Sequence, residues 1–187
     1  EKPKEFSVKP DSNTVTVGED PWQTKNNVLE FNTVRGEATS LNMPMFTKLK
    51  YDELTFECKF FVPNGGNMDL CYNSFGPSYS SAATQWLLLR KNNKVILTTR
   101  TEGVSYGRTI ANLETDEWYS LKIEYFPKGK NNTVVKYYID GKLIDESNEF
   151  YTHGNENAEP LLYMTSLCFS AFSYGAGTVL FDDIKVY

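Results

Sequence analysis

Between residues 54 and 62 the chain alternates with a period of two: Leu54, Phe56, Cys58, Phe60 and Val62 are apolar, with Thr55, Glu57 and Lys59 between them. That spacing sends successive side chains to opposite faces of an extended strand. Apolar runs predict further strands at 28–31, 68–72, 85–90, 95–100, 118–126 and 134–139. The end of the chain, Thr178-Val-Leu-Phe-Asp-Asp-Ile-Lys-Val-Tyr187, reads as a strand carrying carboxylates in its middle. Such a strand needs a formed partner to satisfy its backbone groups, and an early segment such as 6–9 or 14–17 is expected beside it. Almost no segment holds a helical period for three turns.

Turn signals punctuate these runs. Asn92-Asn93 joins two strands as a hairpin, and the loop 127–132 links 118–126 to 134–139. Asp140-Gly141 supplies the positive-φ residues of a tight turn into Lys142-Leu-Ile144. Residues 73–84, rich in Ser, Gly and Pro, read as a loop. In 159–171 the first part reads as irregular, although Leu161, Leu162, Met164 and Leu167 also fit a short helix. Leu167, Phe169 and Ala171 alternate like a strand. The turn Pro63-Asn-Gly-Gly66 admits two hairpin registers. A two-residue loop sets Cys58 opposite Cys71, where a disulfide is conceivable. A three-residue loop sets Phe60 against Leu70 and Val62 against Met68, which matches the apolar faces better and leaves the thiols unbridged.

About ten or more short strands without strand–helix alternation define an all-β, antiparallel β-sandwich. With 187 residues, no internal repeat and no low-complexity linker, residues 1–187 are expected to form one domain. Hydrophobic residues at 40% supply a core, and 14% aromatics favour strands. A net charge of -5 lacks the basic face that a nucleic-acid binder needs to displace counterions, so no nucleic-acid partner is expected. No apolar stretch reaches the roughly 18 residues of a membrane span, so no membrane insertion is expected either. The opening Glu1-Lys-Pro-Lys-Glu5 has neither methionine nor a signal-peptide core and reads as a mature or excised module. The three cysteines, Cys58, Cys71 and Cys168, show no metal-ligand spacing.

Trp118-Tyr-Ser-Leu-Lys-Ile-Glu-Tyr125, Tyr137-Tyr-Ile-Asp-Gly-Lys-Leu-Ile144 and the closing Phe181-Asp-Asp-Ile184, in that order and spacing, resemble the concanavalin A-like lectin and glucanase superfamily, the laminin-G-like jelly rolls. The likeness covers roughly residues 28–187 by pattern. It implies two curved antiparallel sheets, with loops and a concave face open to ligands, and an extracellular or cell-surface location. It also implies a packing role for Trp118. Catalytic members carry Glu-x-Asp-x-x-Glu on one strand, where alternate carboxylates enter one cleft. The nearest segment here, Glu53-Leu-Thr-Phe-Glu57, lacks the middle aspartate. The lone His153 has no aspartate at a useful offset and no Gly-x-Ser-x-Gly, and reads as solvated surface.

The resemblance therefore implies a non-catalytic carbohydrate-binding module that takes a polysaccharide or glycan ligand, as part of a larger extracellular protein. A laminin-G-like domain binding a protein partner is the alternative, and a divergent glycosidase or lyase the third. Sugar recognition needs flat aromatic rings for pyranose C–H faces and planar groups for the hydroxyls. Trp86 and Arg90 share one face of a strand, with Tyr79 in the preceding loop and Tyr106 in a glycine-flanked loop beside Arg108. These four, Trp86, Arg90, Tyr79 and Tyr106, are the candidate carbohydrate-binding residues, although Trp86 equally fits a core position. Trp22 is undecided between an end plug and solvent. The sequon Asn131-Asn132-Thr133 matters only in a eukaryotic secretory pathway.

The Asp182-Asp183 pair is expected to send one carboxylate inward and one outward, and an inward carboxylate is costly unless paired or coordinated. In the β-sandwich modules that this chain resembles, a similar pair on the closing strand holds a structural calcium ion against the N-terminal segment. Asp182 is the candidate metal ligand, with Glu5 or Glu30 completing the shell. The alternative is that one aspartate is solvated and the other accepts hydrogen bonds from backbone amides of a neighbouring loop.

Overall fold

Alternating apolar positions gather the chain into two antiparallel sheets of seven strands each. The computed structural model describes residues 7–9, 14–20, 26–33, 38–50, 53–64, 70–76, 84–91, 94–99, 108–129, 132–147, 163–172 and 177–187. The first sheet consists of β1 (Ser7–Lys9), β4 (Ala38–Lys50), β13 (Tyr163–Phe172), β6 (Leu70–Gly76), β7 (Thr84–Lys91), β8 (Lys94–Thr99) and β9 (Arg108–Glu114), in that spatial order. The second consists of β12 (Lys142–Ser147), β11 (Asn132–Ile139), β10 (Trp118–Gly129), β5 (Leu54–Phe61), β14 (Gly177–Val186), β3 (Asn27–Thr33) and β2 (Thr14–Glu19). There is no helix among the described residues.

The core lies between the sheets. Val95 and Leu97 of β8 meet Phe56, Cys58 and Phe60 of β5, Leu121 and Ile123 of β10, Tyr137 of β11 and Phe181 of β14 in one cluster. Phe56, Phe60, Ile123, Leu97 and Phe181 are fully enclosed. Each such side chain contributes about 1.5–3 kcal/mol on leaving water. Phe31 meets Phe181 edge-on, with centroids 5.6 Å apart.

The expected hairpins form, although β10 and β11 stay paired as far as Gly129 opposite Asn132, within the stretch 127–132 expected as a loop. β7 and β8 pair from Trp86 opposite Thr99 to Lys91 opposite Lys94, with residues 92–93 between them in sequence. β10 and β11 pair with Leu121 opposite Ile139. Asp140 and Gly141 have φ values of 51° and 76°, the left-handed pair that the turn requires. The Asp140 carboxylate accepts the Ser120 backbone N–H at 2.8 Å and its own N–H donates to the Ser120 carbonyl at 2.9 Å, docking the turn onto β10.

Four expectations are corrected. First, β5 and β6 do not form a hairpin in either register, because they belong to different sheets. Both edges of β5 are taken: Cys58 faces Leu121 of β10, and Phe60 faces Phe181 of β14. Cys71 instead lies between Leu88 and Ala171. The chain leaves β5 by docking on the β9–β10 turn. Asp116 N–H donates to the Val62 carbonyl at 3.0 Å and the Asp116 carboxylate accepts Asn64 N–H at 2.8 Å. Cys58 is a buried thiol.

Second, β14 pairs with neither 6–9 nor 14–17. It lies inside its sheet between β3 and β5, with β2 one strand further out and β1 in the other sheet. Leu180 and Phe181 are apolar on both faces, as an interior strand requires. Third, residues 73–76 extend β6 where a loop was expected, and β4 and β9 form where no strand was read. Fourth, neither aspartate of the closing strand faces the core. A register shift against β5 falls between Asp182 and Lys185, and Asp183 has φ 49°. This bulge interrupts the alternation: Phe181 and Ile184 both pack against the core, while Asp182 and Asp183 both stay outside it.

Candidate functional site: two sheet faces

The bulge in β14 sets the geometry around Asp182. Its Oδ1 accepts the backbone N–H of Asp183 at 2.8 Å, and its Oδ2 accepts Asn26 Nδ2 at 2.8 Å. The Asp183 carboxylate pairs with Lys59 Nζ across to β5 at 2.7 Å. That hydrogen bond and the neighbouring charge hold Asp183 below the usual carboxylate range and raise Lys59 above its ordinary value. Asp182 thus accepts a backbone amide, but that of the next residue on its own strand, where amides of a neighbouring loop were expected.

Calcium takes about six to eight oxygen ligands. Asp182 and Asn26 supply at most a carboxylate and an amide oxygen, and the Lys59 ammonium stands beside them. Of the expected helpers, Glu30 accepts Asn32 Nδ2 at 2.5 Å on its own strand, and Glu5 lies outside the described residues. Among the described residues no three carboxylate, thiol or imidazole groups gather into a metal-binding cluster. These donors do not make a calcium shell by themselves.

Trp118 opens β10 and packs on Phe61, with ring centroids 5.5 Å apart, in a small apolar cluster with Val28 and Leu180. It takes the packing role expected of it. Further along the same face, Glu124 accepts Lys122 Nζ and the Tyr138 hydroxyl, each at 2.7 Å. Burial opposes the ionised form of Glu124, but these two hydrogen bonds and the charges of Lys122 and Lys136 outweigh it and hold its pKa below the ordinary value.

In the first sheet, Trp86 and Arg90 both lie on β7. Trp86 stands between Asn73 of β6 and Thr99 of β8, and Thr99 in turn faces Arg108 of β9. Register therefore brings Trp86 and Arg108 onto one row. Arg90 faces Val95, and Leu88 faces Leu97. Val95 and Leu97 are core residues, so this row of β7 runs through the core positions of β8. Tyr79, Tyr106, Trp22 and His153 lie outside the described residues.

The alternate rows belong to the opposite face. Ser74 faces Gln85 and Cys168, and Cys168 faces Asn42. Tyr72 faces Leu87 and Ser170, and Ser170 faces Ser40. Sequence reading missed this band of hydroxyl- and amide-bearing positions because it is assembled from four strands, two of them misread. The available signal was the polar half of each alternation, Ser40 and Asn42 in β4 and Ser166 to Ser170 in β13.

Two antiparallel seven-stranded sheets around one core, closed by the last strand beside β3 and β5, make this a β-sandwich of the concanavalin A-like jelly-roll class. No protein-family model and no curated protein matches the sequence. By shape the chain is similar to the endo-β-1,4-glucuronan lyase of the fungus Trichoderma reesei, with TM-score 0.64 and 11% identity over 98% of this chain and 90% of that one. It is similar to a carbohydrate esterase of the Shiga toxin-encoding bacteriophage phi24B, at TM-score 0.64, 16% identity, and 98% and 89% coverage. It is also similar to the carbohydrate-binding module CBM66 of Bacillus subtilis, at TM-score 0.55, 11% identity, and 97% and 94% coverage. Likeness at these identities establishes the fold.

Proposed function

We propose that this protein is a non-catalytic carbohydrate-binding module of an extracellular or cell-surface protein, taking a polysaccharide across the first sheet. The observation that carries the reading is the polar band through Ser40, Asn42, Tyr72, Ser74, Gln85 and Ser170, on a fold whose neighbours by shape include a carbohydrate-binding module and a glucuronan lyase. Hydroxyls and amides in register suit a chain of sugar hydroxyls, which donate and accept together. Trp86, Arg90, Tyr79 and Tyr106 remain the proposed aromatic and cationic contacts. Trp86 and Arg90 sit on the rows that alternate with the band, so they form a separate candidate surface, which Trp86→Ala tests by itself. A structural calcium ion at Asp182 is proposed alongside, with Asn26 turned to present its amide oxygen and Glu5 among the further donors.

Retention on immobilised glucuronan, alginate and a panel of neutral polysaccharides tests the reading. Trp86→Ala is expected to weaken retention by about 1–3 kcal/mol with the fold intact, the scale of a lost stacking anchor. Loss of the folded state by circular dichroism would instead make Trp86 a core residue, as its row through Val95 and Leu97 allows. Absence of retention on any glycan, with capture of a protein ligand, would favour the adhesion reading.

A polysaccharide lyase is the second reading, favoured by the glucuronan and alginate lyases among the neighbours by shape. Incubation with either polymer and detection of the unsaturated uronate left by β-elimination separates the two. Turnover would replace the binding-module reading.

A further inference from the structure

The outer face of the second sheet carries more than solvated side chains. Val28, Phe61 and Leu180 occupy rows that alternate away from the core, yet each is no more than 2% exposed. Beside this apolar patch and Trp118 opens a cavity of about 440 Å³, lined by Asn26, Lys59, Trp118, Ser120, Asp182 and Asp183. Its size falls within the roughly 300–1,000 Å³ of small-ligand sites.

The lining has a particular chemistry. Two donor–acceptor pairs stand on neighbouring strands, Asn26 with Asp182 at 2.8 Å and Lys59 with Asp183 at 2.7 Å. The β14 bulge makes this possible, because normal alternation would have sent one carboxylate to the opposite face. Trp118 adds an indole surface, and its buried N–H has no acceptor among the described residues. A sugar hydroxyl both donates and accepts, so beside these closed pairs it can use the remaining lone pairs of the carboxylates and the remaining N–H groups of Asn26 and Lys59. The C–H face of a pyranose packs on an indole. Two carboxylates against one ammonium disfavour a uronate.

We propose that this cavity is a second binding site, specific for a single neutral sugar residue such as a chain end or branch. It lies on the opposite side of the sandwich from the polar band of the first sheet, and either site can fail alone.

The test follows the indole resonance of Trp118, assigned by Trp118→Phe, during titration with the methyl glycosides of glucose, mannose and galactose, in buffer with and without calcium. At least one glycoside is expected to shift it saturably below about 100 mM, since one residue binds in the millimolar range. Lys59→Gln and Asp183→Asn are each expected to weaken that binding at least about fivefold at unchanged melting temperature. Asn tolerates the positive φ at position 183. No shift with any glycoside, an equal response in both variants, or saturation by calcium chloride while the glycosides stay silent would overturn the proposal. Polysaccharide retention in the same variants reads the first-sheet site separately.

Discussion

Glu124 is held by two donors from neighbouring positions, Lys122 on its own strand and Tyr138 across the ladder, and Lys122 also lies 4.3 Å from the centre of the Tyr138 ring. Its pKa is lower in the folded than in the unfolded chain. The stability it contributes is therefore complete above the unfolded carboxylate value, near 4.3, and is lost as pH falls through the folded value. Glu124→Gln is expected to cost about 1 kcal/mol in urea denaturation at neutral pH, and the difference from the parent should vanish in acid. A constant difference down to acid pH would show that the carboxylate charge is not what matters. Asp183 follows the same sign, while Lys59 follows the opposite one, its share being lost in strong base. Both side chains are about half exposed, 47% and 49%, so their pair contributes about 0–1 kcal/mol and the acid limb should follow Glu124. The aspartate pair itself was legible on the closing strand. Its conformation was not, because the left-handed backbone at Asp183 is chosen by the ladder to β5.

Local turns were the legible elements. Asn92-Asn93 and Asp140-Gly141 each join strands that are neighbours in both sequence and space. At Gly141 a Cβ would meet no heavy atom within 4 Å, so the demand for glycine is purely one of backbone conformation, φ 76°. Gly141→Ala is accordingly expected to cost about 1 kcal/mol by thermal or urea denaturation. A loss several times larger would reveal crowding at the turn. Pairing between elements was legible only when local. The Asn64-Gly65-Gly66 signal reads as a hairpin, but β10 and β14 already occupy both edges of β5, and the chain crosses to the other sheet. β4 escaped notice because Pro44 sits inside it and normally argues against a strand. The polar band depends on β4, β13 and β6, and so could not be read before their pairing was known. Trp86 and Arg90 were placed correctly on one strand, while their relation to the core emerged only from β8.

For the molecule as a whole, an ion at Asp182 would tie the closing strand to the early part of the chain and stabilise by linkage. Thorough chelation is expected to lower the melting temperature by several degrees, with calcium but not magnesium restoring it. An unchanged melt would leave Asp182 to Asn26 and the Asp183 amide alone. The same strand carries a consequence for biosynthesis. Asp182 meets Asn26 across 156 sequence positions, and β14 enters between β3 and β5, which precede it by most of the chain. Until it arrives, β3 and β5 each keep an unpaired edge, and contacts of such separation form slowly. The nascent second sheet is then a slot shaped for one strand, open to any chain that can supply it. A protein ending at residue 176 is expected to aggregate, and a labelled peptide of residues 177–187 is expected to bind it and return it to solution. A soluble truncated form that ignores the peptide would mean that the slot closes on itself.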